Sequence, residues 1–279
     1  VMVEFPKIYW KFETVGTDLY IRYSDAKVDD TYECLAHMRG TSEKDKCYIS
    51  AYLGYTLSSK LRSLSGKSPT ANQTIGTFRT QAQANGAGYD QIAYFQLLML
   101  QVLFVVMFKS IDSQTALGRG YVDGNSSSIV TGGTNTKGLF YGETTGKLQN
   151  KFCGIEDLWG NYYYWIDGFF CNSNMHMLIA NQSFNDTGSG YTDYGQGATA
   201  NLSGYIGSIQ GGTETGFVVK VNNGSTTTQY CDCGDLYAGC LPSFGGYWSG
   251  SSFAGAFQLY VNCSASYANS DIGGRLLAL

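Results

Sequence analysis

Residues 244–279 read Phe244-Gly-Gly-Tyr-Trp-Ser-Gly-Ser-Ser-Phe-Ala-Gly-Ala-Phe-Gln-Leu-Tyr-Val-Asn-Cys-Ser-Ala-Ser-Tyr-Ala-Asn-Ser-Asp-Ile-Gly-Gly-Arg-Leu-Leu-Ala-Leu279. Two kinds of residue interleave in this stretch. Gly245, Gly246, Gly255, Gly273 and Gly274 permit tight turns and close backbone approach. Trp248, Phe257, Ile272 and Leu276 are large apolar anchors expected to face a core, and Arg275 is a candidate buried, multiply hydrogen-bonded brace. Between them lie Tyr247, Ser249, Ser251, Ser252, Phe253, Gln258, Tyr260, Asn262, Cys263, Tyr267, Asn269 and Asp271. Tyr and Phe bring contact area at low rotamer cost, and Ser and Asn bring adaptable hydrogen bonds, a mix that suits a binding surface. Taken alone, the stretch also fits two ordinary strands and a Gly-rich loop with solvent-facing Tyr and Ser.

The rest of the chain fits an adaptable, loop-rich protein. Charged residues are 14% of the 279 and Gly is 36 of them. Average soluble proteins have about 25% charge and about 7% Gly. The net charge is -4 and no basic run occurs, so nucleic acid is not an expected partner. The most apolar stretch, Ile92 to Phe108, is interrupted by Gln96 and Gln101. It is shorter than the ~20 residues of a spanning helix, so no membrane insertion is expected. The chain opens on Val1 with no secretory leader pattern, which is read as a start inside a longer polypeptide.

Residues 1–65 alternate aromatic and polar residues, as in Ile8-Tyr-Trp-Lys-Phe and Leu19-Tyr-Ile-Arg-Tyr. They are predicted to be a strand-rich segment, either a docking subdomain or a completion of the main domain. Residues 66–279 are predicted to be the ligand-binding domain. Thr74 is positioned to cap a helix over about Ile75–Ala84, which Asn85-Gly86 would end. A second, wholly apolar helix is expected from Asp90 to about Ser110. Phe217–Val221 and Thr226–Tyr230, separated by Asn223-Gly224, read as a hairpin. The expected class is α+β: two early helices, short antiparallel strands and long Gly/Ser/Asn-rich loops.

Catalytic chemistry finds no support. There are two histidines, His37 and His176, and no Gly-x-Ser-x-Gly elbow. Glu156-Asp157 is read as structural in preference to a carboxylate site. Cys231, Cys233 and Cys240 cluster, but the spacing is not that of a zinc site and the histidines are distant. Buried thiols or one local disulfide fit better.

Three motifs carry a resemblance. Gly245-Gly-Tyr-Trp248, Gly255-Ala-Phe257 and Ile272-Gly-Gly-Arg-Leu276 resemble the variable region of diversity-generating-retroelement target proteins. Gly160-Asn-Tyr-Tyr-Tyr-Trp165 looks like an element of the same superfamily. Ser113-Gln-Thr-Ala-Leu-Gly-Arg-Gly120 looks like a segment of phage tail proteins that carry the domain. The resemblance spans about residues 65–279. It implies a C-type-lectin-like fold, shared with formylglycine-generating enzymes, and makes the twelve positions from Tyr247 to Asp271 named above the candidate hypervariable face that binds a host-surface protein or glycan. It implies display on a virion tail or fibre, or another extracellular surface, beside other virion proteins. Enzyme activity of the formylglycine-generating type depends on a cysteine pair in this segment, where only Cys263 occurs. No cofactor is implied. Calcium stays open, because lectins often hold it but no acidic cage is visible. Tyr162 to Trp165 border the face in this reading, as core residues first. The runner-up is a structural virion or tail protein whose Gly-rich face packs against neighbours.

Overall fold

A computed structural model describes residues 1–279. The elements used below are β1 (Met2–Pro6), β2 (Tyr9–Val15), β3 (Asp18–Ser24), β4 (Lys46–Ser50), α1 (Ile75–Gln83), β5 (Tyr89–Gln91), α2 (Tyr94–Phe108), β6 (Tyr163–Trp165), β7 (Phe169–Cys171), β8 (His176–Ile179), β9 (Thr192–Gln196), β10 (Leu202–Tyr205), β11 (Cys233–Leu236), β12 (Leu241–Phe244), β13 (Leu259–Cys263), β14 (Ile272–Gly273) and β15 (Leu276–Ala278). Strands and loops dominate, so the chain is a strand-rich mixed α/β protein. No helix is long and apolar enough to cross a membrane.

The helices follow from local chemistry. Thr74 accepts a hydrogen bond from the Thr77 N–H at 3.2 Å, which caps α1 as its sequence predicts. Helix α2 is buried from Tyr94 through Phe104. A helix apolar on every side must lie inside, and α2 is the centre of a 44-residue core cluster. Its two glutamines make specific contacts. Gln96 Nε2 donates to Ala36 O at 2.6 Å, and Gln101 Nε2 donates to Ala256 O at 3.0 Å.

The start of α2 corrects the sequence reading. The helix begins at Tyr94, not Asp90. Asp90 lies in β5, which pairs with β15, and its carboxylate takes an ion pair from Arg39. A residue committed to a strand ladder cannot also cap a helix. The expected hairpin at Asn223-Gly224 is absent as well. Val219–Val221 pairs instead with Ser208–Ile209. Residues 225–228 fold back through hydroxyl bonds, such as Ser225 N–H to Thr228 Oγ1 at 2.9 Å, which compete with strand pairing.

Two sheets organise the strands around the core. A four-stranded sheet runs β1-β4-β15-β5 and a six-stranded sheet runs β10-β11-β13-β12-β6-β14. The second is mixed, not purely antiparallel as expected: β11 and β13 are parallel, as are β6 and β14. The first sheet pairs β4 with β15, the last strand of the chain. Phe5, Ile8, Trp10 and Phe12 also enter the α2 core. Residues 1–65 therefore share a sheet and a core with later parts of the chain.

Candidate functional site: an aromatic face over a pinned loop

Segment 244–279 is held from beneath by buried polar groups. At Gly255–Phe257, Gln101 donates to the Ala256 carbonyl, and the Ala256 N–H donates to Ser113 Oγ at 2.9 Å. The Phe257 N–H donates to Asp232 Oδ2 at 2.9 Å. Asp232 is fully buried, and burial raises its carboxyl well above the usual range. A Cβ on Gly255 would collide with that carboxylate, so glycine is required there. Gly246 has φ +82°, and a Cβ there would sit 2.5 Å from the Ala254 Cβ.

Phe257 is fully buried and packs on Phe104, Phe217 and Tyr230 at centroid distances of 6.0, 4.8 and 5.7 Å. Ile272 is buried in a second cluster with Trp165 and Phe78. Arg275 is fully buried. Its guanidinium donates to the carbonyls of Ser50 at 2.9 Å, Glu156 at 2.9 Å and Asp157 at 2.8 Å, and it lies 4.8 Å from the Tyr164 ring centroid. One side chain thus ties together three distant parts of the chain.

Glu156 and Asp157 meet this arginine through their backbone carbonyls, while their carboxylates turn to other buried partners. Glu156 accepts from the N–H groups of Gly132 and Thr134 and from the Thr134 hydroxyl. Asp157 Oδ2 accepts from Gln149 and Asn161 amides at 2.6 and 2.8 Å, while Oδ1 has no partner. Burial and the neighbouring Glu156 raise the Asp157 carboxyl. These contacts give the pair a framework role.

The outer face is built by strand register. Ser203, Asp235, Tyr260, Ser243 and Trp165 are direct cross-strand partners on β10, β11, β13, β12 and β6. Direct partners share a sheet face. Tyr163, two residues before Trp165, points the same way. The Tyr163 ring stacks on Tyr247 at 5.5 Å and 21°, and lies 5.7 Å from Tyr260. Tyr247 meets Trp248 edge-on at 5.4 Å, and Trp248 meets Tyr162 at 5.3 Å. Such pairs are worth about 0.5–1.5 kcal/mol each beyond burial, so the tyrosines are held in place before any ligand arrives.

Other candidate residues join this face from its loops and from β13. Ser249 and Ser251 are exposed. Phe253 is 47% exposed, 5.5 Å from the Tyr205 ring, and Ser252 Oγ lies 2.7 Å from Tyr205 Oη. Asn262 Nδ2 donates to Asp235 Oδ2 at 2.6 Å. Tyr267, 41% exposed, sits 6.3 Å from Trp165 and accepts from Asn269 Nδ2 at 3.0 Å. Asp271 is half-buried; its carbonyl accepts the Tyr163 N–H at 3.0 Å. Burial raises the carboxyls of both Asp235 and Asp271.

Three residues fall elsewhere than the sequence suggests. Gln258 is fully buried under Gly246, and neither of its amide atoms reaches hydrogen-bond geometry. Cys263 is 8% exposed and lies in the second core cluster with its strand partner Leu241, past a register shift that separates it from Leu259 and Val261 in the main core. Trp248 is only half-buried, packing against the edge of the main core without being enclosed by it. Residues that the sequence left out are Tyr205 and Asp235. Tyr163 is half-exposed, whereas Tyr162, Tyr164 and Trp165 are buried. Period-two alternation in β6 could have separated Tyr163 from Tyr162 and Tyr164, but not from Trp165, which points the same way.

No family model and no curated protein matches this chain. Among solved structures, the chain is similar to "Major Tropism Determinant M1 Variant", with 10% identity, 98% of this chain and 72% of that chain covered, and a TM-score of 0.36. The "I1 Variant" gives 10% identity, the same coverage and 0.37. The "U1 Variant" gives 9%, the same coverage and 0.31. Likeness of this degree assigns neither a fold family nor an activity.

Proposed function

We propose that this chain is a receptor-binding protein that presents a variable face on a C-type-lectin-like frame, displayed on a virus tail or another extracellular surface. The observation that carries the reading is the sorting within residues 244–279. Phe257, Ile272 and Arg275 are buried, while Tyr247, Ser249, Ser251, Ser252, Phe253, Tyr260, Asn262, Tyr267, Asn269 and Asp271 reach solvent around one aromatic row. Diversification by a retroelement would act on these outer positions, where substitution leaves the frame untouched. The partner is a host-surface protein or glycan.

Stacked tyrosines lose little entropy on binding, and the neighbouring Ser and Asn adapt their hydrogen bonds. A patch smaller than ~800 Å² per partner binds weakly alone. Many copies on one particle raise avidity by roughly 10²–10⁴ where geometry allows. Replacing Tyr247 and Tyr267 by Ala together tests the reading. Binding to host cells should be lost while the melting temperature stays within a few degrees. Undiminished binding would move the site elsewhere.

A further inference from the structure

Cys171 ends β7, and Cys240 immediately precedes β12. The two face each other across an isolated antiparallel bridge. Each N–H donates to the other's carbonyl, at 3.0 and 3.1 Å. Directly opposed residues of an antiparallel pair project to the same face. Accordingly, Cys171 lies in the main core cluster and Cys240 packs against it. Cys171 is buried and Cys240 is half-exposed. We propose that Cys171 and Cys240 form a disulfide site that closes on contact with a disulfide oxidant and reopens readily with thiols.

The spacing permits the bond and predicts its lability. A mutually hydrogen-bonded pair sets its Cα atoms about 5.5 Å apart, within the roughly 4.4–6.8 Å of disulfides. Its Cβ atoms lie near the wide end of the cross-strand range, about 5.5 Å, against about 3.5–4.5 Å in a relaxed disulfide. Closure must draw the two backbones together. A single bridge pair joins them, so the movement disturbs little ladder. Strain of this kind makes a disulfide easier to reduce.

The chemistry balances with a small disulfide such as oxidised glutathione. The Cys240 thiol gives its proton to solvent and attacks one glutathione sulfur, releasing a glutathione thiolate. The Cys171 thiol, losing its own proton, then attacks Cys240 Sγ and expels the second glutathione. The two thiols supply two electrons, which reduce one glutathione disulfide to two thiols. Burial raises both cysteine thiols, so the exchange should quicken as pH rises. The bond would staple β7, in the sheet β7-β8-β9, to the strand that runs beneath the aromatic face into Gly245. A third thiol lies near: Cys263 is paired with Leu241, but packs in the second cluster.

The test uses the whole folded chain. It is incubated with oxidised glutathione, its free thiols are blocked in acid, and unreduced peptides are mapped by mass spectrometry. Most chains should yield a peptide joining Cys171 to Cys240, lost after brief exposure to reduced glutathione. Cys263→Ser should keep the link, and Cys171→Ser should stop at a glutathione adduct on Cys240. The proposal is overturned if unaltered chains carry glutathione on Cys240 without the link, join Cys240 to Cys263, or leave Cys171 open to alkylation.

Discussion

Phe257 and Phe253 stand four residues apart in one Gly-rich segment and live under different rules. Phe257 is fully buried among Phe104, Phe217 and Tyr230, on a backbone pinned by Gln101, Ser113 and Asp232. Phe253 is 47% exposed, with one aromatic neighbour, Tyr205. The difference teaches that the segment is a frame and a face in alternation. Packing holds the frame residues, whereas the face residues make fewer contacts inside the molecule.

The frame should break first at Arg275. Arg275→Met removes the donors to the carbonyls of Ser50, Glu156 and Asp157 and leaves these buried acceptors unpaired, at a cost of about 3 kcal/mol or more. Chemical denaturation would measure it, and a loss below about 1 kcal/mol would show that Arg275 is not a brace. Gly255→Ala should cost about 1–3 kcal/mol by the same measurement, because the new methyl group overlaps the Asp232 carboxylate.

The pH dependence probes the acidic side of the frame. Burial raises the Asp157 carboxyl above its unfolded value, so the folded chain holds a proton that the unfolded chain releases above about pH 4. The folded state then binds more protons, and this group's contribution to stability falls as pH rises from about 4 toward the raised folded value. Asp157→Asn should flatten that fall between pH 5 and pH 8 in denaturation midpoints. Asp232, Asp235 and Asp271 are shifted in the same direction, so some slope should remain. An unchanged slope would remove Asp157 from the account. The smallest effect is expected at Gln258, whose buried amide is unpaired. Gln258→Leu should raise stability by about 1 kcal/mol without weakening host binding.

These residues also show what the sequence made legible. The glycines, Phe257, Ile272 and Arg275 stand out by type, and the structure buries them all. The capped helix at Thr74 and the buried α2 follow from local chemistry and apolar continuity. The fates of Gln258 and Cys263 depend on strand register and on what lies above Gly246, which residue type alone does not reveal. Asp235 escaped notice because its place beside Tyr260 comes from a parallel pairing between strands separated in sequence by β12. The start of α2 and the failed hairpin share a cause: Asp90 and Val219–Val221 have distant strand partners.

The division between frame and face is most directly tested by substituting every residue from Phe244 to Leu279 and scoring each variant separately for protease-resistant folding and for host-cell binding. Folding should be lost at Gly246, Gly255, Phe257, Ile272 and Arg275. It should survive at Tyr247, Ser249, Phe253, Tyr267 and Asp271 while binding changes. Cys263 and Gln258 should group with the interior, leaving binding unaltered wherever the fold persists. If folding losses fall evenly across both sets, or if binding ignores the outer positions, the segment is not a variable face on a fixed frame.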